Sequence, residues 1–271
     1  MNNPIAKFVA SDSLPSYKNP PVNEVISGMR FHVSEKLRFT HIGLLWDKFR
    51  TDYPIVRHAP PIASGKGDIL ADVETGIPFP RVWFINKSDD QLIQFQFDRF
   101  HFNWRRRQSD YPRYKYVINN FERVTDLIIA FFTEFDLGEF KPIEYELSYI
   151  NHIPKGQGWN TIDDLPKIFS DFVWKQSTGR FLPNPINITW QTEFALPEKK
   201  GHLIVSLKQA MRIEDKVPLL LFELTARGIG EDGSKNMIRE WFDVAHEWIV
   251  RGFTELTTLE VHLIWEREKN A

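Results

Sequence analysis

Between Arg99 and Lys115 the chain gathers Arg99, Arg105, Arg106, Arg107, Arg113 and Lys115, with Asp98 and Asp110 as the acids beside them. Phe100, Phe102, Trp104, Tyr111 and Tyr114 are interleaved with these cations. Guanidinium groups bind phosphate and carboxylate through two parallel hydrogen bonds. Exposed rings stack on bases, so basic groups interleaved with aromatics suit a single strand of nucleic acid. On that reading Arg99, Asn103, Arg105, Arg106, Arg113 and Tyr114 form a binding surface for a protein partner or a nucleic acid. The competing reading follows from spacing: Phe100, Phe102 and Trp104 recur every second residue, as the buried face of a strand does, which leaves the arginines on a solvated strand end.

A second group is Tyr149-Ile150-Asn151-His152-Ile153-Pro154. An imidazole at a strand's end can act as a base or a ligand, and an enzyme built around His152 is one reading of it. Asn151 and His152 as a hydrogen-bonding pair between two halves of the protein is the other. No G-x-S-x-G elbow accompanies them. Glu144 and Glu146 share a strand face and could do acid–base work, or simply form a solvated face. His246-Glu247 lacks the second histidine of H-E-x-x-H, and His246 and His262 stand alone on helical segments. Gly228-Ile229-Gly230-Glu231-Asp232-Gly233 matches G-x-G-x-x-G. However, its preceding strand belongs to an antiparallel meander, and two acids lie where a pyrophosphate would sit, so a turn is the better reading. There is no Cys, which removes thiolate nucleophiles, disulfides and cysteine metal sites. No metal and no cofactor is expected.

These groups must be positioned by secondary structure. Val25, Ser27, Met29 and Phe31 alternate as a strand, and Gly28 within it predicts a bulge or a close backbone approach. Thr40 is placed to cap a helix through Ile42, Leu45, Trp46, Phe49 and Tyr53. Residues 54–79 read as a long loop. Strands follow at 81–85 and around Ile93, Phe95 and Phe97. The apolar parity then switches to Phe100, Phe102 and Trp104, which requires a turn or bulge at Asp98-Arg99. Val117, Phe121, Val124, Ile128, Phe131 and Phe135 make the clearest helical stripe, closed at Gly138.

From Lys141 the order recurs. There is a strand through Tyr145 and Tyr149, then a helix capped by Thr161 and carrying Ile162, Leu165, Phe169 and Phe172. Three strands at 188–194, 203–207 and 220–224 follow, and then a long helix opened by Ser234. Thr257-Thr258-Leu259-Glu260 is a capping-box pattern that favours a short helix over a strand at 259–265. The expectation is an α+β protein made of a duplicated β-α-β-β-β-α unit, antiparallel sheets backed by long helices. Residues 1–20 read as a flexible lead-in, 21–140 as the first half and 141–271 as the second, packed as one body.

Composition sets the class. In 271 residues, 34 Lys and Arg face 36 Asp and Glu, and 42% of the chain is hydrophobic. That is the balance of a folded globular protein, without the basic excess of a nucleic-acid coat. The N-terminus has no apolar signal core, and the apolar runs are too short to span a bilayer. A cytoplasmic protein with no membrane partner is expected.

Several segments together resemble a known family: Asn19-Pro20-Pro21-Val22-Asn23-Glu24-Val25, Pro80-Arg81-Val82-Trp83-Phe84, Leu92-Ile93-Gln94 with Asp98-Arg99-Phe100, Phe102-Asn103-Trp104-Arg105, Tyr111-Pro112-Arg113-Tyr114, Tyr149-Ile150-Asn151-His152-Ile153, and the stretch from Ala245-His246-Glu247 to Trp265. The chain resembles a sporadically distributed bacterial family of unknown function, about 260 residues long against the 271 here. The resemblance implies a bacterial origin and carries no activity, cofactor or catalytic residue with it. Sporadic distribution suggests a mobile-element or phage-defence module. The leading expectation is a non-enzymatic binding or regulatory protein with a protein partner. Nucleic-acid binding by the Arg/aromatic patch and an enzyme around His152 are the alternatives.

Overall fold

The structure, a computed structural model, describes residues 13–63, 71, 76–174, 181–229 and 235–268. Alternating apolar residues give strands β1 (Val22–Phe31), β3 (Arg81–Ile85), β4 (Gln91–Gln96) and β5 (Arg99–Arg105) in the first half, to which β2 (Ile55–Ala59) adds an edge strand without such alternation. The second half supplies β6 (Pro142–Pro154), β7 (Thr189–Ala195), β8 (His202–Met211) and β9 (Pro218–Gly228). All nine join one antiparallel sheet in the order β2-β3-β4-β5-β1-β6-β9-β8-β7. The two halves meet edge to edge where β1 pairs with β6, Ser27 opposite Leu147.

The long stripes become helices α2 (Tyr114–Glu134) and α4 (Lys235–Leu256), with α1 (Phe39–Phe49), α3 (Leu165–Ile168) and α5 (Leu259–Ile264) beside them. α2 and α4 lie against one face of the sheet. Phe100 stacks on Phe121 with ring centroids 5.6 Å apart, and Tyr145 meets Trp241 at 5.5 Å. The two helices run antiparallel to each other. Tyr114 meets His246 at one end of the contact, Phe121 meets Phe242 in the middle, and the Arg239 guanidinium donates to Glu122 at the other. The core between sheet and helices is therefore aromatic, with Phe31, Phe84, Phe95, Phe100, Phe102, Trp104, Phe121 and Trp241 all fully buried. Such rings bury the largest areas and stabilise by about 25 cal/mol per Å² removed from water.

The opposite face of the sheet is polar, and part of it is tied into a buried network. The Gln94 Nε2 donates to Asn103 Oδ1 (2.9 Å), and Asn103 Nδ2 donates to Glu24 (2.6 Å). Burial raises the Glu24 pKa above the carboxylate norm, with Asn103 and Arg105 pulling it back. At Gly28 the expected bulge or close backbone approach is replaced by a side chain: the His101 ring lies over it, where a Cβ would clash with the imidazole.

Four local expectations need correction. Residues 54–79 are not all loop, because Ile55–Ala59 forms edge strand β2. The parity switch is met by a turn at Phe97-Asp98, since Gln96 pairs with Arg99. Helix α1 starts at Phe39 with Arg38 at its cap. The Thr161 helix stops at Ile168, short of Phe169 and Phe172. Its cap is real, since Thr161 and Asp164 form a reciprocal box. Beyond Ile168 the backbone pairs elsewhere: Ser170 N donates to Leu256 O, Thr258 N donates to Ile168 O, and Phe169 bridges Thr257. At the C-terminus the helix is present, with Thr258 as its cap. Thr257 instead bonds the Phe253 carbonyl and His262.

Candidate functional site

The sheet ends, on the side where β1 begins and β6 finishes, in a wall made from distant parts of the chain. Pro21 O accepts from His152 N (2.9 Å) and Asn23 O accepts from Arg106 N (2.7 Å), which fixes both residues to the start of β1. Asn19 N donates to Trp265 O (3.1 Å) and Lys18 N to Glu266 O (3.0 Å), which ties the N-terminal segment to the end of α5. The close of the lead-in is thus pinned, and Tyr17 is buried. Residues 1–12 lie outside the described residues.

Below this segment lies a cavity of about 650 Å³, with Arg106, His152, Arg212 and Trp265 in its wall and no carboxylate among its lining residues. Three of these side chains carry a buried nitrogen with no hydrogen-bond partner: Arg106 Nε, His152 Nδ1 and Trp265 Nε1. Trp265 is only 2% exposed, and no protein group accepts from its indole N–H. A buried donor left unpaired costs about 1–3 kcal/mol, and a ligand atom that accepts from it recovers that cost. Arg106 also reaches Pro20 O through Nη2 (3.1 Å). Arg212 holds Asp215 with Nε and Nη2 (2.8 and 2.6 Å), which leaves its Nη1 outside the pair. Burial, with Arg212 adding to it, keeps the His152 pKa below the imidazole norm, while Glu214 pulls the other way.

On the far side of Pro20 and Val22, which border both spaces, a narrower cleft opens against the helices. Arg113, Tyr114 and Asn151 line it together with His246. The predicted residues therefore fall into three places. Arg106 and His152 meet in the large cavity, Arg113, Tyr114 and Asn151 meet in the cleft, and Arg99, Asn103 and Arg105 lie away from both on the polar sheet face. The expected rim of free guanidinium groups is corrected on this point. Arg99 is buried and bidentate to Asp98 (3.0 and 2.7 Å). Asn103 is 1% exposed and spent on Gln94 and Glu24. Arg105 pairs with Asp89 (2.5 Å), as does Arg107 (2.9 Å), and Arg113 donates to Tyr17 O (2.8 Å). The parity argument explains this: with Phe100, Phe102 and Trp104 turned to the helices, residues 99, 103 and 105 are placed on the sheet's other face, where acids and amides await them.

Glu144 pairs with Arg30 (3.5 Å) and Glu146 with Arg227 (2.7 Å), so each acid is an ion-pair partner on the polar face. Of the glycine-rich segment, Gly228 closes β9, and Gly230 to Gly233 lie outside the described residues, as does Ser234. Among the described residues no group of His, Asp and Glu could hold a metal ion, and no helix is long and apolar enough to cross a membrane. Sequence reasoning missed Arg212 and the donor role of Trp265. The first reaches the cavity only because β8 and β9 form a hairpin beside β6, and the second was visible only as one apolar position of a helix. No protein-family model matches the chain, and a search of curated proteins finds no match to it either.

Proposed function

We propose that the protein works by binding, and that the cavity at the end of the sheet takes an oxyanion, the carboxylate or phosphate group of its ligand. The observation that carries this is the set of unpartnered buried nitrogens on Arg106, His152 and Trp265 around a space with no acid in its wall. Arg212 adds a fourth donor residue, and hydrogen bonds to an ionised acceptor are about twice as strong as neutral ones. The ligand group is free in solution or presented on an acidic segment of a partner protein. His152 in this reading donates to the bound oxygen, since no carboxylate pairs with it to make a base.

A stacking platform for single-stranded nucleic acid needs rings in the open, and Phe100, Phe102 and Trp104 are 0–1% exposed. A duplicated unit is supported by the strand order, which reads β3-β4-β5-β1 on one side of the seam and β7-β8-β9-β6 on the other. Each half also lays a long helix on the same face. A regulatory role in a bacterial mobile-element or defence module rests on the family resemblance alone.

Inorganic phosphate and acetate, titrated at constant ionic strength, test the proposal by the thermal midpoint. A ligand at one hundred times its Kd stabilises by about 2.7 kcal/mol, and each kcal/mol is worth roughly 2–4 °C in a chain of this size. An oxyanion beside His152 favours the imidazolium, so binding of acetate, which stays ionised near neutral pH, should draw in a proton and strengthen as pH falls. An acidic peptide forms the third arm and separates a protein-borne ligand from a free one. Midpoints that show no saturable rise with either anion would overturn the assignment.

A further inference from the structure

The cleft on the helix side of Pro20 and Val22 has a different chemistry. It encloses about 270 Å³ and its floor and sides are apolar, from Val22, Leu224, Ile249, Val250 and Phe253. One wall is flat: the Tyr114 ring lies on the His246 ring at 3.8 Å with 8° between planes. Asp243 accepts from the Tyr114 hydroxyl (2.7 Å) and so fixes that ring in place. Facing it, Tyr111 and Tyr149 share a hydrogen bond between their hydroxyls (2.7 Å). Only one hydroxyl can donate to the other, so the pair keeps one proton without an acceptor.

Asn151 supplies the specific demand. It is 1% exposed, and its Nδ2 donates to the Phe222 carbonyl (3.0 Å), with the Tyr149 carbonyl at 3.4 Å. Turning the amide over would set its oxygen against those two carbonyl oxygens, so the assignment is settled by the network. Its Oδ1 is buried without a donor. The His246 imidazole makes no hydrogen bond to any described residue. Burial holds it to a pKa of about 4, so near neutral pH it is uncharged and offers one donor and one acceptor.

We propose that this cleft is a second binding site, separate from the anion cavity, that takes an uncharged planar heteroaromatic ring bearing an N–H group. The ring lies among the aromatic and aliphatic walls, its N–H donates to Asn151 Oδ1, and the space of about 270 Å³ has room for a small bicyclic heterocycle. Arg113 and Lys115 also border the cleft, Arg113 being engaged by Tyr17 O, and a cationic ligand is disfavoured because no acid lines the space.

Isothermal titration of the full chain with indole and with 1-methylindole at pH 7.5 tests the proposal without any mutation. The two probes share shape and apolarity and differ in the N–H. Indole is expected to bind saturably at one site per chain, and 1-methylindole at least tenfold more weakly, because a buried acceptor is then left unmet. Asn151→Leu should erase the difference between the probes. Arg106→Gln should leave indole binding unchanged while it weakens phosphate, so failure of one site is distinguishable from failure of the other. Equal binding of the two probes to the unaltered chain, or saturable binding of neither, would overturn the proposal.

Discussion

Gly228→Ala should destabilise the protein by about 3 kcal/mol or more, lowering the thermal midpoint by roughly 6–12 °C. At the end of β9 the backbone of Gly228 crosses that of Lys200 and Gly201 so closely that a Cβ would sit 1.8 Å from Lys200 O. The converse holds at Gly201, whose Cβ would meet Arg227 O at 1.9 Å and whose φ is +122°. Both obstructions are main chain, so no side-chain rotation relieves them. The displaced carbonyl is also an anchor: Lys200 O accepts from Trp241 Nε1 (2.8 Å), and Trp241 is a fully buried ring of the second half. Gly43→Ala makes the control. Gly43 lies in α1 with nothing near its missing Cβ, and alanine there should raise the midpoint, since glycine inside a helix costs about 1 kcal/mol. Differential scanning calorimetry of both variants checks the pair, and a Gly228→Ala midpoint equal to that of the parent would contradict the crossing.

Arg106→Gln should weaken phosphate binding at least tenfold while leaving the midpoint of the unliganded protein within about 3 °C of the parent. The guanidinium carries one of the three unmet nitrogens of the cavity, and its link to the fold runs largely through its main-chain N–H to Asn23 O, which glutamine keeps. Arg212→Gln should weaken phosphate less, because two of its nitrogens are already engaged by Asp215. Phosphate titrations of both variants at fixed ionic strength measure the order. Equal affinity in the parent and in Arg106→Gln would remove Arg106 from the site.

How much of this was legible in the sequence varies with how local the cause is. α2 and α4 were readable because each buries one stripe against one sheet, so period and burial coincide. The turn before Arg99 followed from a change of parity, since two strands of opposite phase cannot be joined without one. β2 was not readable: Ile55 to His58 are exposed on both faces of an edge strand, so no alternation marks it. The early stop of the Thr161 helix depended on residues 256–258, nearly ninety positions away, capturing its backbone. The site behaved the same way. Asn151 and His152 were singled out as one pair, but neighbours on a strand point to opposite faces, and they line different spaces. The arginine patch is not legible as a paired one, because its partners, Asp89, Asp98 and the Tyr17 carbonyl, come from turns and from the N-terminal segment, whose closeness no spacing reveals.

The indole N–H of Trp265 is the most direct witness to the anion cavity. In a ¹H–¹⁵N correlation spectrum the nine tryptophans each give one indole signal, and Trp265→Phe identifies the one at issue. Adding inorganic phosphate should move that signal downfield and saturably, as a donor without a partner gains a charged acceptor, with the shift lost in Arg106→Gln. A Trp265 signal that stays fixed while phosphate reaches its full effect on stability would contradict the assignment and place any bound anion elsewhere.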